Sequence, residues 1–237
     1  MRPSSGRGLV ASRPVESRKP LPGPTLVLVP TELERAPLEA WGGFPGARLE
    51  TCGFGPVAAA ARTAELLARH APGRVLLIGI AGSFDLEAAP LGWAALFARV
   101  QLDGVGAGTG RDYQPPSQLG LPQWAGPPPI AERLELAGGG HGLLLTVCAA
   151  SGSPAERAQR RARYPEALAE DMEAFGAALA CRLAGVPLRV VRGVSNEVGV
   201  RDLGVWRVRE ALAAARTLAL ALLGDAKEDG AEPEPRP

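Results

Sequence analysis

The sequence predicts an α/β fold: a three-layer α/β/α sandwich around a central mixed, mostly parallel sheet. Two observations carry this. Short, largely apolar runs without polar alternation, Leu26 to Val29, Arg74 to Ile80, Leu143 to Cys148 and Leu188 to Val194, read as strands buried on both faces. Segments with helical spacing of apolar residues alternate with them, the pattern of a sheet covered by helices on both sides. At roughly 150 residues per domain as a soft prior, 237 residues make one large domain or two small ones. Composition separates residues 1–24, a Pro-rich extension expected to be disordered, from a domain over 25–224. An acidic, Pro-rich tail over 225–237, also expected to be disordered, follows.

The elements follow in order. Leu26 to Pro30 forms the first strand, and Glu32 to Ala40 a helix with Pro37 near its first turn. Arg48 to Cys52 is a second strand, running into Gly53-Phe54-Gly55-Pro56 and an Ala-rich helix from Val57 to His70. The strand Arg74 to Ile80 ends in Ala81-Gly82-Ser83, read as a turn whose small residues let a ligand approach the backbone. Trp93 to Leu102 is a strand region, and residues 103–129, rich in Gly, Pro and Gln, a long loop. After the strand ending at Cys148, Pro154 opens a charged helix to about Arg163. Asp171 to Leu183 reads as a helix, Leu188 to Val194 as the last strand and Leu203 to Leu223 as the C-terminal helix.

Composition narrows the chemistry. With 26 Lys+Arg against 25 Asp+Glu the net charge is +1, which argues against a nucleic-acid-binding face. Two histidines, His70 and His141, and three cysteines, Cys52, Cys148 and Cys181, exclude a multi-Cys/His metal site and a disulfide framework. No apolar run reaches the roughly 20 residues that cross a bilayer. Unclustered cysteines fit a reducing cytoplasm. Neither a metal nor a cofactor is expected. Gly104 to Gly110 fails as a dinucleotide fingerprint, because Thr109 stands at the third glycine position and no helical pattern follows. Gly53-x-Gly55 lacks the third glycine. Chemistry is left to carboxylates, amides and backbone groups.

In α/β folds ligands sit beyond the carboxyl ends of the strands. The stretches there are PTELE (30–34), GIAGSF (79–84), VCAASGS (147–153) and RGVSNEVGVRD (192–202), with EDMEAFG (170–176) at a helix start. Each has a structural explanation of its own. Acids at a helix start partner the helix dipole, and Asn196 is a natural turn residue after a strand.

Taken in order, these motifs resemble the purine nucleoside phosphorylase/nucleosidase superfamily in its methylthioadenosine/S-adenosylhomocysteine nucleosidase branch. Within that branch, PTELE and SNEVGVRDLGVW (195–206) are similar to the futalosine hydrolases of the alternative menaquinone pathway. The resemblance covers residues 25–223 apart from 103–129. It implies a nucleoside phosphorylase-like fold and hydrolysis of the N-glycosidic bond of a purine nucleoside. It implies that Glu34 activates water, that Glu173 binds the ribose hydroxyls, and that Met172 packs on the sugar. It implies that Ala81, Gly82, Ser195 and Val147 line the pocket, and that the active form is a homodimer or larger homo-oligomer.

Asn196 stands where adenosine-cleaving members carry an aspartate. An amide cannot give up a proton, but it carries a donor and an acceptor and can be expected to bridge N7 and O6 of a 6-oxopurine such as the hypoxanthine of futalosine. Glu32 and Glu34 together would repel phosphate and favour hydrolysis over phosphorolysis. Three alternatives stay open from sequence: a methylthioadenosine/S-adenosylhomocysteine nucleosidase, a purine nucleoside phosphorylase, and a nucleoside-binding protein without turnover.

Overall fold

A computed structural model describes residues 23–228. The expectations for residues 1–22 and 229–237 lie outside the described residues. The chain runs β1 (Thr25–Val29), α1 (Glu32–Ala40), β2 (Ala47–Thr51), α2 (Pro56–His70), β3 (Arg74–Ser83), β4 (Ala94–Asp103) and α3 (Pro116–Leu119). It continues through β5 (Arg133–Glu135), β6 (His141–Val147), α4 (Pro154–Arg163), β7 (Ala167–Asp171), α5 (Ala174–Ala184), β8 (Leu188–Glu197) and α6 (Val208–Glu228).

Alternation along β1 and β3 builds the layers. Leu26, Leu28, Val75 and Leu77 turn to one face, where they pack with Leu66 of α2 and Phe175, Ala177 and Cys181 of α5. Val27, Val29, Leu76 and Ile78 turn to the other, against Leu38 of α1 and Ala215 and Ala219 of α6. Side chains of successive strand residues point to opposite faces, so a run apolar at every position needs a cover on both sides. The three-layer arrangement and the mixed, mostly parallel sheet are as the sequence predicts.

The sheet also closes on itself. β2, β1 and β3 are parallel neighbours. β3 pairs with β8 in parallel, β8 with β4 antiparallel, β4 with β6 and β6 with β7 in parallel. The end of β3 then meets β7 antiparallel through Gly82 and Ser83. Five strands thus form a ring, with β1 and β2 outside β3 and β5 outside β4.

Ring closure accounts for most departures from the sequence reading. β3 does not turn at Ala81; it continues to Ser83, because β7 and β8 both pair with its end, with a bulge against β8 at Ala81/Gly82. β8 continues past Val194 to Glu197, so Ser195 and Asn196 lie in the strand. Asp171 ends β7 and does not open a helix. β5 and β7 are elements the sequence pattern did not show. Leu203–Val205 is a 3-10 turn, and the last helix begins at Val208.

The segment read as a long loop carries α3, a 3-10 turn at Gly110–Asp112 and isolated bridges Ala107–Gln114 and Trp124–Ile130. Asp103 fastens its start to α4. The carboxylate accepts from Tyr164 Oη at 2.8 Å, Arg163 at 3.0 Å and Arg160 at 3.3 Å.

Candidate active site

One fully buried guanidinium organises the strand ends. Arg192 on β8 donates through Nε and Nη2 to Asp171 Oδ2 at 3.0 and 2.6 Å, and Nη2 reaches Glu173 Oε2 at 3.4 Å. Burial works against the charged form of Arg192, but Asp171, Glu173 and Glu34 outweigh it, so the guanidinium is held protonated. Asp171 is in turn fixed by Thr146 Oγ1 at 2.6 Å and by the Ala174 N–H at 2.9 Å. The carboxylate thereby caps the start of α5 as well as pairing with the arginine.

Glu34 enters the same centre from the first turn of α1. Its Oε2 accepts from Thr31 Oγ1 at 2.8 Å and its Oε1 from the Ile80 N–H at 3.0 Å. Burial raises its pKa above the usual carboxylate range, opposed by the Arg192 charge and by the Ile80 and Thr31 hydrogen bonds. Glu34 and Arg192 converge over Gly79, where a Cβ would lie 2.1 Å from Arg192 Nη1 and 2.7 Å from Glu34 Oε1. Nη1 is buried and has no hydrogen-bond partner among the described residues. A buried donor is costly to leave unmade, so this atom marks a place for a water or a ligand atom.

Glu173 sits between β7 and α5. Its Oε1 accepts from the Gly55 N–H at 3.1 Å, tying it to the Gly53-x-Gly55 turn before α2. Gly55 holds φ at 84°, a conformation glycine reaches without penalty, and this aims its N–H at the carboxylate. Burial, with Asp171 and Glu34 adding repulsion, pushes the Glu173 pKa up to about 7, against the Arg192 charge and the Gly55 hydrogen bond. Cys52, behind the same cluster, is buried and its thiol is pushed up to about 12 by burial.

Beside this centre lies a second group. Asn196 Oδ1 accepts from Ser195 Oγ at 2.8 Å, Asn196 Nδ2 donates to the Glu197 carbonyl at 2.9 Å, and Ser195 Oγ lies 3.3 Å from the Ala81 carbonyl. Ile80, Ala81 and Gly82 are consecutive, so one stretch of β3 backbone touches Glu34, Ser195 and Asn196 in turn. Val147, at the end of β6, is fully buried among Phe84, Leu145 and Val198, with Met172 packed partly buried against them. Every expected site residue therefore lies at the strand ends. Glu32 does not join them: its side chain is 72% exposed and pairs with Arg35 on the surface. Repulsion of phosphate by two carboxylates is thus reduced to Glu34 alone. Among the described residues no set of three His, Cys, Asp or Glu side chains could hold a metal ion, and no helix is long and apolar enough to cross a membrane.

Residues 47–226 match the phosphorylase superfamily model. Over 203 residues the chain is 37% identical to a futalosine hydrolase of Streptomyces coelicolor, covering 82% of this chain and 83% of that one. This chain belongs to the phosphorylase superfamily, among the futalosine hydrolases. A futalosine hydrolase of Thermus thermophilus is 36% identical over 230 residues, 89% of this chain and 99% of the relative. In structure, a 5′-methylthioadenosine/S-adenosylhomocysteine nucleosidase of Colwellia psychrerythraea in complex with adenine superposes with a TM-score of 0.68 at 20% identity. That match covers 86% of this chain and 96% of the other and shows the shared fold.

In this futalosine hydrolase family member the sequence gives no role to Arg192, Thr146 or the Gly55 N–H, and leaves Asp171 as an acid at a helix start. A signal for Arg192 was present. An arginine inside an otherwise apolar buried strand must have carboxylate partners, and the acids of EDMEAFG are a cluster large enough to supply them.

Proposed function

We infer that this chain hydrolyses the N-glycosidic bond of a 6-oxopurine nucleoside, namely futalosine. The products are hypoxanthine and dehypoxanthine futalosine, a step of menaquinone biosynthesis. The observation that carries this reading is the convergence of the Glu34 carboxylate and the unpartnered Arg192 N–H over Gly79, in a member of the futalosine hydrolase family.

The chemistry follows from these groups. A water held between Glu34 and Arg192 attacks the anomeric carbon as the bond to the base breaks. The bonding pair leaves with the base, and Glu34 accepts the proton of the water. The raised proton affinity of Glu34 makes it a stronger base than a solvated carboxylate. The ribose gains positive charge in this step, which the carboxylates of Glu34 and Glu173 favour. Glu173 retains acceptor capacity for ribose hydroxyls, and Met172 offers an apolar surface to the sugar. Ala81, Gly82 and Val147 line the base and sugar pocket. Asn196 stabilises the negative charge that develops on the base by hydrogen bonding, without transferring a proton; the departing base takes up a proton from solvent, and Glu34 gives the one it accepted back to solvent. Arg192 is engaged by carboxylates through two of its nitrogens and has only Nη1 left, too little for a phosphate cradle, which favours water as the nucleophile.

The test is base release from futalosine, methylthioadenosine and inosine, with and without phosphate. Hypoxanthine release from futalosine that needs no phosphate supports the reading. Strict phosphate dependence, or preference for methylthioadenosine, refutes it.

We also propose a homodimer or larger homo-oligomer. Leu33, Phe54 and Val57, next to Glu34 and Gly55, are 70%, 67% and 80% exposed, an apolar rim that a second subunit would cover. A monomeric mass by light scattering at working concentration would contradict this. The free cysteines support a reducing, cytoplasmic location, which fractionation of the cells that express the chain would test.

A further inference from the structure

The amide of Asn196 is held from two sides. Its Nδ2 donates to the Glu197 carbonyl and its Oδ1 accepts from the Ser195 hydroxyl. A carbonyl oxygen can only accept, so the end of the amide facing Glu197 must be the nitrogen. The amide oxygen then faces Ser195, and the hydroxyl must be the donor. Turning the amide over would set oxygen against oxygen at Glu197. The Ser195 hydroxyl has a single proton, and the 2.8 Å contact with Oδ1 is a better hydrogen bond than the 3.3 Å contact with the Ala81 carbonyl. Ser195 itself is fully buried. One N–H of Nδ2 remains without a partner among the described residues. It lies beside Gly82, where a Cβ would come within 3.1 Å of Val198 Cγ2 and 3.2 Å of the nitrogen, so the missing side chain leaves the amide unhindered from that side.

We propose that Ser195 is a positioning residue: it locks the Asn196 amide so that a single N–H, and not the amide oxygen, is turned to the leaving base, and it does this without touching the ligand. The proposal rests on the nucleoside reading above and changes two of its details. Ser195 stands behind the pocket and does not line it. The amide oxygen is directed at Ser195, so the group the amide presents to the base is its N–H. N7 and O6 of a 6-oxopurine both accept, and one N–H can serve N7 or be shared with O6. The 6-amino group of adenine needs an acceptor at the same edge and meets an N–H there, because the amide is held with its oxygen toward Ser195. Donation into Oδ1 also polarises the amide and strengthens its N–H. That matters most as the base gains negative charge, so Ser195 acts on kcat more than on KM.

The experiment compares binding of hypoxanthine and 7-deazahypoxanthine, in which N7 is replaced by C–H, by calorimetry. The proteins are the wild-type chain, Ser195→Ala and Ser195→Cys, and futalosine turnover is followed in parallel. The wild-type chain is expected to prefer hypoxanthine by about tenfold, the worth of one hydrogen bond. In Ser195→Ala the preference should shrink to about threefold or less, with kcat reduced and KM little changed. Ser195→Cys keeps the volume with a weak donor and should fall between the two; it carries the comparison if Ser195→Ala does not fold. An undiminished preference in the folded variants overturns the proposal, as does equal binding of both bases by the wild-type chain. If the preference behaves as expected but no nucleoside is cleaved, the hydrolase reading fails and the orienting role of Ser195 stands. If neither base binds, both fall.

Discussion

Replacing Glu173 by Gln tests the electrostatics of the buried centre directly. The Glu173 carboxyl titrates near 7 in the folded chain, against 4.5 for an ordinary glutamate, because it is buried among Asp171 and Glu34. The folded state therefore holds this proton more tightly than the unfolded state does. The contribution of Glu173 to stability is greatest below the unfolded pKa and is lost as pH rises through the folded one. That displacement corresponds to about 3 kcal/mol lost between about pH 4 and about pH 8. Glutamine does not ionise and escapes the loss. Its amide oxygen can still accept from the Gly55 N–H, but the amide nitrogen then faces Arg192 Nη2, donor against donor, a cost of about 1–3 kcal/mol that does not depend on pH. The variant should thus be less stable than the wild-type chain in acid and comparable or more stable in mild alkali. Urea unfolding of both proteins across this range measures the difference. Stability curves that stay parallel within about 1 kcal/mol would refute the assigned proton affinity.

Other perturbations separate chemistry from architecture. Glu34→Gln should lower turnover by about 10²- to 10⁴-fold while nucleoside binding, followed by calorimetry, persists. Turnover within a few-fold of wild type would remove Glu34 from the mechanism. Gly79→Ala places a methyl group against Arg192 Nη1 and Glu34 Oε1. The overpacking costs about 1–3 kcal/mol, and base release should fall far more than the melting temperature indicates; normal turnover would argue against the water position. Asp103→Ala leaves Tyr164, Arg163 and Arg160 without their acceptor. It should cost about 3–5 kcal/mol and speed proteolysis within residues 104–119, with unchanged protection counting against the anchoring role.

What could be read from the sequence, and what could not, follows from where specification lies. Strands apolar on both faces announce themselves, because burial on two sides removes any polar alternation; β1, the first part of β3, β6 and β8 were legible for that reason. β7 was not. Its sequence, Ala-Leu-Ala-Glu-Asp, is built of helix-favouring alanines and acids, and only its place between β6 and β3 makes it a strand. The polar end of β8, Ser195 to Glu197, reads as a turn until its partners on β3 are known. The expected catalytic side chains Glu34, Glu173 and Asn196 were found through an ordered set of short motifs. Arg192, which joins two of them, was hidden because a charge within an apolar run has meaning only once its carboxylates are located in space.

The closed ring of strands ties the making of the site to the order in which the chain is made. β8 fills the gap between β3 and β4, yet more than 100 residues separate it from the start of β3. Contacts over such spans form slowly, since the intervening chain must be ordered before they repay it. Until β8 arrives, β3 and β4 each present an open edge, a surface prone to pairing with another chain. The same strand delivers Arg192, Ser195 and Asn196. A nascent or truncated chain ending before Leu188 would therefore have no partial activity to select for and an exposed edge to be rid of, so for this fold completion of the site and escape from aggregation are one event.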